Sequence, residues 1–144
     1  MKPPRQIELH GMTSHEVRDA YARQQRKREN VKDWEDEFDF QVRARHLPPI
    51  TRHYLFAKRQ LGRKWESDFA YPELNLLIEI EGGLWRRGGG AHSRPANIER
   101  DIEKANDAAL LRFHTLRFTT TEVGNGNAIA FLIRVLTDRG WTRT

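Results

Sequence analysis

The sequence predicts an α/β (α+β) domain with the element order helix, three strands, helix, strand, helix. Three observations carry this prediction: apolar residues at helical spacing near residue 34, short strand-like segments between residues 52 and 81, and helix-forming stretches on either side of "HTLRFT". A chain of 144 residues is about the size of one domain with a single core. We therefore expect one domain over 33–144, preceded by an N-terminal arm over 1–32.

The first half of this domain is predicted as one helix and three strands. "DWEDEFDFQVRAR" places Trp34, Phe38 and Val42 at helical spacing, and the prolines of "HLPP" prevent the helix from continuing. "RHYLFA" and "WESDFAY" are predicted as strands joined by a basic loop, "KRQLGRK". The turn "YPELN" then leads into a third strand, "NLLIEIE".

The second half is predicted as a loop, a helix, a strand and a closing helix. "GGLWRRGGGAH" is too rich in glycine for regular structure and predicts the loop. "RPANIERDIEKANDAALLRF" predicts a helix that begins near Pro95 and carries its apolar residues, Ile98, Ile102, Ala105 and Ala109, on one stripe. "HTLRFT" predicts the fourth strand, and "NAIAFLIRVLTD" predicts the closing helix.

Two absences in the composition narrow the function classes. The chain has no cysteine, which excludes disulfides, thiolate zinc sites and cysteine nucleophiles, so a metal would bind to oxygen or imidazole, as magnesium or manganese does. No apolar run approaches the ~20 residues that a membrane span needs, and the N-terminal "MKPPRQIELHGM" lacks the apolar stretch of a signal peptide. We therefore expect a cytoplasmic protein with no membrane partner.

The charge is concentrated in the arm. The whole chain carries a formal charge of +5, and residues 1–32 hold eight basic residues, among them Arg26, Lys27 and Arg28, against four acidic ones. This excess predicts a polyanion as partner, although charge alone does not separate nucleic acid from an anionic membrane surface. Thr13 and Glu16 have the spacing of a capping box, so the arm is predicted either as a basic helix or as a solvated tail.

Acidic residues gather in the predicted hairpin of this basic chain. A four-residue turn over 72–75 would place Asp68 opposite Glu79 and Glu66 opposite Glu81, all on one face of the hairpin. The other face, made of residues 67, 69, 71, 76, 78 and 80, is nearly all apolar and is predicted to be the core.

Two explanations of these acids stay open. Like charges directly opposite each other destabilise a hairpin by roughly 0.2–1 kcal/mol, so a divalent cation held by Asp68 and Glu79, with Glu81 beside it, would supply the missing positive charge. Alternatively, the strands have an ordinary acidic outer face that Arg63, Lys64 and Arg86 neutralise.

The arrangement of these acids resembles a known superfamily. An acid in one strand, a hairpin turn and then acid-x-acid, all after a helix that carries a glutamate, is similar to the PD-(D/E)XK nucleases. The string "RKWESDFAYPELNLLIEIEGGLW", followed by "DIEKANDAALL" and "LRFT", resembles small phage and prophage endonucleases of the Vsr-like and Holliday-junction-resolvase-like kind, over about residues 34–123. The resemblance implies a restriction-endonuclease-like αβββαβ core, with a mixed four-stranded sheet flanked by helices, in a bacterial or phage-infected host cell.

The resemblance assigns roles to several of these acids and to one lysine. Asp68 matches the first metal-binding acid of the family, and Glu79 matches the second, with Mg²⁺ or Mn²⁺ as the cofactor. Glu81 stands where the family usually has the lysine of its triplet, and Lys104, on the following helix, is the candidate to replace that lysine. A surface lysine paired with its helix neighbours is the equally open alternative.

Other positions match the family less directly. Glu37 fits the glutamate of the first helix, with Glu35 as a close competitor that spacing does not exclude. His92, at the end of the glycine-rich loop, is expected to approach the phosphate, unless it is merely an exposed loop histidine. Glu66 stands where an arginine is expected, and it either binds a second metal ion or is incidental.

The implied activity is hydrolysis of DNA phosphodiesters, which leaves 5′-phosphate and 3′-hydroxyl ends. If the substrate is branched DNA, such as a Holliday junction, paired cuts would favour a homodimer. Trp85 is expected either to stack on distorted bases or to cap the core. The residues expected to bind DNA phosphates, besides those of the arm, are Arg63, Lys64, Arg86, Arg87 and Arg94. A non-catalytic DNA-binding protein on a nuclease scaffold is the main alternative, and an RNA-acting or purely structural protein has little support.

Overall fold

The computed structural model describes residues 33–82 and 95–143, together with Thr13, His15 and Asp19. The chain divides into two compact units, Met1–Asp33 and Trp34–Thr144. In the first unit, His15 and Asp19 are helical, and the His15 Nδ1 atom lies 3.2 Å from an Asp19 carboxylate oxygen. Arg26, Lys27 and Arg28 lie outside the described residues, so their predicted role in DNA binding stays a prediction.

The second unit contains five helices and four strands among its described residues. In chain order they are α1 (Trp34–Ala44), β1 (Thr51–Leu55), α2 (Lys58–Leu61), β2 (Glu66–Tyr71), β3 (Leu76–Glu81), α3 (Pro95–Leu110), β4 (His114–Thr119), α4 (Thr120–Gly124) and α5 (Asn127–Asp138). A single 3-10 turn, Pro72–Leu74, joins β2 to β3. Each helix and strand predicted from the sequence is present within the described residues of this unit.

The four strands form one mixed, open sheet in the order β1-β2-β3-β4. The pairs β1–β2 and β2–β3 are antiparallel, whereas β3 and β4 are parallel and are connected through α3. The predicted α+β class with a mixed four-stranded sheet is thus confirmed. No helix within the described ranges is long and apolar enough to cross a membrane.

The main core lies between one face of the sheet and helices α1, α4 and α5. Phe38 is fully buried at its centre, with its ring 5.3 Å from that of Phe69 and 6.0 Å from that of Phe118. Val42 is also buried, and Trp34 packs partly buried against the same cluster, which confirms the predicted apolar face of α1. The predicted core residues of β2 and β3 on this face are Phe69, Tyr71, Leu76 and Ile78, with Ile80 partly buried.

A second, smaller core covers the face of the sheet that carries the acids. The prediction placed the core on one face and the carboxylates on the other, but Ala70 and Leu77, on the face of the carboxylates, are buried in a cluster with Ala108 of α3. The cluster consists of Phe56, Ala57, Trp65, Ala70, Leu77 and Ala108. Helix α3 therefore covers part of the acidic face, and the carboxylates lie beside apolar side chains.

Two local predictions are wrong. The stripe predicted to pack on α3 is exposed, with Ile98 and Ile102 at 45% and 55% of their maximal accessibility, and the helix buries Ala108 instead. The sheet face under α3 is acidic, so the helix turns Lys104 and the small Ala108 toward it. The predicted basic loop "KRQLGRK" forms the one-turn helix α2, which ends at Gly62, where φ is +63°.

Phe38 and Phe40 provide a matched test of the core, because both lie on α1 and only Phe38 is buried; Phe40 is 60% exposed. We expect Phe38→Ala to lower the free energy of unfolding by about 3–5 kcal/mol, since it leaves a cavity against two aromatic rings. Phe40→Ala should change it by about 0.5 kcal/mol or less. Urea denaturation measures both values, and equal losses in the two variants would contradict this packing.

Candidate functional site

The acids lie where strands β2 and β3 separate. The paired residues are Phe69 with Ile78, Ala70 with Leu77 and Tyr71 with Leu76, which is the register predicted for a turn over 72–75. Beyond these pairs, side chains replace the backbone partners. The Ile80 N–H donates to the Asp68 carboxylate at 2.8 Å, and the buried Ser67 hydroxyl lies 3.1 Å from the Ile78 carbonyl oxygen. Asp68 and Glu79 therefore face each other at the opening of the hairpin.

Glu66 and Glu81, predicted to oppose each other, are not among the paired residues of β2 and β3. Glu66 instead lies 2.7 Å from His53 Nδ1 on β1, and this hydrogen bond raises the pKa of the histidine. Glu81 accepts hydrogen bonds from Arg117 on β4, at 2.9 Å from Nε and 2.5 Å from Nη2. Where the strands separate, Glu66 therefore pairs with β1 and Glu81 pairs with β4, on opposite sides of the hairpin.

Three carboxyl groups come together at Asp68. The Glu79 carboxyl and the Glu35 carboxyl of α1 both contact it. Burial, together with the Asp68 carboxylate, raises the pKa of Glu79 to about 7 and that of Glu35 to about 7. The site therefore gathers carboxyl groups whose burial makes their ionisation costly.

Lys104 partly offsets this excess. Its ammonium nitrogen lies 2.5 Å from Glu79 Oε1, and it opposes the rise in the pKa of Glu79. Both side chains are mostly buried, at 25% and 17% exposure. α3 thus places a positive charge directly on Glu79, at the residue that the sequence had singled out.

The helix acid that reaches the cluster is Glu35. Residues two positions apart on a helix point about 200° apart, so Glu35 and Glu37 cannot face the sheet together. Glu37 accepts a hydrogen bond from Gln41 Nε2 at 3.0 Å, one turn further along α1. The sequence left this choice open because spacing fixes the helix but not its rotation against the sheet.

A cavity of about 240 Å³ opens beside the cluster, between the sheet and α3. Phe56, Leu77 and Ala108 are among its apolar residues, and its charged lining consists of Asp68, Glu79, Glu81, Asp101, Lys104 and Arg117. Arg117 was not singled out from the sequence. Its signal is weak, since only the parallel pairing that sets Arg117 beside Glu79 brings it to the acids of β3.

Several other predicted site residues lie elsewhere or outside the described residues. Arg63, expected to neutralise the hairpin acids, pairs with Glu103 at 3.0 Å and stacks over the Trp65 ring at 4.5 Å. Lys64 is exposed. The charges on the acids are instead offset by His53, Lys104 and Arg117. The predicted residues that lie outside the described ranges are Trp85, Arg86, Arg87, His92 and Arg94.

The donor chemistry of the cluster fits a hard divalent cation. Its ligating groups are carboxylates, which magnesium and manganese prefer, and the pKa values of Glu35 and Glu79 are raised by burial first and by the Asp68 carboxylate second. Within residues 33–82 and 95–143, no group of three or more acidic or imidazole side chains forms a ready-made metal site. Lys104 and the Ile80 N–H already occupy oxygens of Glu79 and Asp68 that a metal would use.

Comparisons of the chain with protein-family models, with curated proteins and with solved structures give no match in any of the three. The geometry of the carboxyl cluster is therefore the basis for assigning a function to this chain.

The pKa of Glu79 predicts how stability depends on pH. Its folded-state pKa of about 7 lies above the ordinary value of 4.5, so the folded protein binds more protons and loses stability as pH rises between these values. In EDTA, Glu79→Gln should remove a loss on the order of 1–3 kcal/mol over this window. Urea denaturation at several pH values measures it, with Glu73→Gln, at an exposed turn position, as the control. Parallel pH profiles for wild type and Glu79→Gln would contradict the burial of this carboxyl.

Proposed function

We propose that this chain is a metal-dependent DNA endonuclease that hydrolyses phosphodiester bonds at the cluster around Asp68. The observation that carries the proposal is the convergence of Glu35, Asp68 and Glu79 from one helix and two neighbouring strands, with Lys104 bound to Glu79. The element order and the mixed sheet also support a restriction-endonuclease-like core, since both acids of the resemblance lie on the hairpin that this core would use.

Asp68 and Glu79 are the residues that would hold magnesium, or manganese, with Glu35 and Glu81 close by. The ion would polarise the phosphate and lower the pKa of a bound water. Lys104 holds a positive charge beside Glu79, as the lysine of the family's triplet would, and can orient a water molecule or neutralise a phosphate oxygen. Arg117 holds Glu81 in place at the mouth of the cavity.

DNA is the proposed polyanionic partner. The net charge of +5 favours it, and the exposed Arg63 and Lys64 precede β2, the strand that carries Asp68. A second copy of the chain would supply the paired cut on a branched substrate, and the expected products carry 5′-phosphate and 3′-hydroxyl ends.

A non-catalytic DNA-binding protein on the same scaffold is the second candidate. One observation favours it: the residue in the lysine position of the triplet is Glu81, and it forms a salt bridge with Arg117. Such a protein would use the cluster only to hold the sheet and α3 together, through the Glu79–Lys104 pair.

Cleavage of labelled DNA separates the two candidates. Linear duplex, single strand and a four-way junction are incubated with magnesium, manganese or EDTA. We expect cutting only with metal, and a loss of at least about 100-fold in Glu79→Gln, since even outer-shell partners of a metal site are worth about 10–100-fold. Glu73→Gln should cut like wild type. Salt-sensitive binding without cutting of any substrate would reject the endonuclease and leave the DNA-binding protein.

Lys104 is tested against a surface lysine. In Lys104→Met we expect the single-turnover rate to fall by about 100-fold, the range found for one electrostatic contact in an active site, while DNA affinity changes little. Lys58→Met, at an exposed position of α2, should leave both values unchanged. A Lys104→Met rate equal to that of wild type would show that the lysine is a structural partner of Glu79 only.

A further inference from the structure

The middle residue of β1 has an unusual backbone conformation. His53 has φ +51°, in the left-handed region, although it lies within a strand at the edge of the sheet. Its neighbours are paired normally, Arg52 with Phe69 and Tyr54 with Ser67. A residue other than glycine in this region costs on the order of 1–3 kcal/mol, although histidine is among the residue types found there more often.

Because of this conformation, the residues before and after His53 point to opposite faces of the sheet. Residues two apart in a regular strand share a face, but the Arg52 guanidinium lies 5.6 Å from the centre of the Phe69 ring, toward α1. Tyr54 packs edge-on against Phe113 at 6.3 Å, in the cluster under α3. On either side of His53, β1 therefore places Arg52 over a ring of the main core and Tyr54 against the smaller one.

His53 stands beside the carboxyl cluster. It lies on β1 between residues paired with Phe69 and Ser67, which places it across from Asp68. Its Nδ1 atom donates to the Glu66 carboxylate at 2.7 Å, and this bond fixes the orientation of the ring. The side chain is half exposed, and the bond to Glu66 occupies Nδ1 and not Nε2. The charge of Glu35 also raises the pKa of His53, and the charge of Arg52 lowers it.

We propose that His53 is a phosphate-contacting residue of this site, whose imidazolium donates a hydrogen bond from Nε2 to a phosphate oxygen of the DNA strand bound at Asp68. The proposal rests on the proposed function, because the phosphodiester is the ligand. Three features favour it: an imidazole next to the acids, a ring oriented by a carboxylate on its other nitrogen, and a strained backbone that keeps the ring at this point.

The test uses variants that keep the backbone conformation. Asn and Gly both adopt the left-handed region, so His53→Asn and His53→Gly remove the imidazole without adding strain. His46 has nearly the same backbone angle, φ +53°, and is exposed after the end of α1, so His46→Asn and His46→Gly are the matched controls. Thermal unfolding confirms that each variant is folded.

The salt dependence of DNA binding is measured in EDTA, because a purely structural role of His53 would leave it unchanged. Loss of one phosphate contact should make the slope of log K against log salt shallower by about 0.9, and affinity should fall by about 10-fold or more at low salt. Cleavage with magnesium should fall with it in both His53 variants and stay unchanged in both His46 variants.

Each outcome decides between the proposals. If wild type cuts and the His53 variants bind and cut like it, the contact is rejected while the endonuclease stands. If the cleavage rate falls but the salt slope stays that of wild type, His53 acts on the cluster and not on phosphate, which also overturns the proposal. If wild type binds DNA but never cuts, the endonuclease fails, and a shallower slope in the His53 variants alone would still support the phosphate contact.

Discussion

The close approach of the Asp68 and Glu79 carboxyl groups is the constraint on which the rest of this domain depends. Burial and the neighbouring Asp68 carboxylate raise the pKa of Glu79, and the backbone pairing of β2 with β3 ends at Phe69 and Ile78, just before these two acids. The surrounding elements supply positive charges or hydrogen-bond donors to the acids of the hairpin. α3 brings Lys104 and β3 brings the Ile80 N–H, while β4 and β1 pair with the two outer acids.

The two cores explain why such a cluster can persist. The face toward α1 holds most of the large apolar side chains, with Phe38 at its centre, and it supplies the bulk of the stability. The face toward α3 is smaller and is interrupted by the cavity beside the acids. The sheet therefore has one side that stabilises it and one side on which charge is concentrated.

Local patterns predicted most of the fold, and contacts distant in sequence decided the rest. The element order, the hairpin register and the buried face of α1 follow from period and turn chemistry, which are properties of a few neighbouring residues. The rotation of a helix on a sheet is not such a property. On α3 the apolar stripe suggested burial of Ile98 and Ile102, but the acids beneath the helix favoured Lys104 and Ala108. For the same reason, the sequence did not show whether Glu35 or Glu37 reaches the cluster, or that Arg117 and His53 lie beside the acids.

The Lys104–Glu79 pair has a thermodynamic consequence beyond charge compensation. Lys104 belongs to α3 and Glu79 to β3, so the free energy of docking the helix and the proton affinity of the carboxyl are linked quantities. Burial raises the pKa of Glu79 and Lys104 lowers it, so a change in the packing of α3 alters the proton affinity of this carboxyl through both. The packing of the helix and the ionisation state of the hairpin are therefore coupled through the Lys104–Glu79 pair.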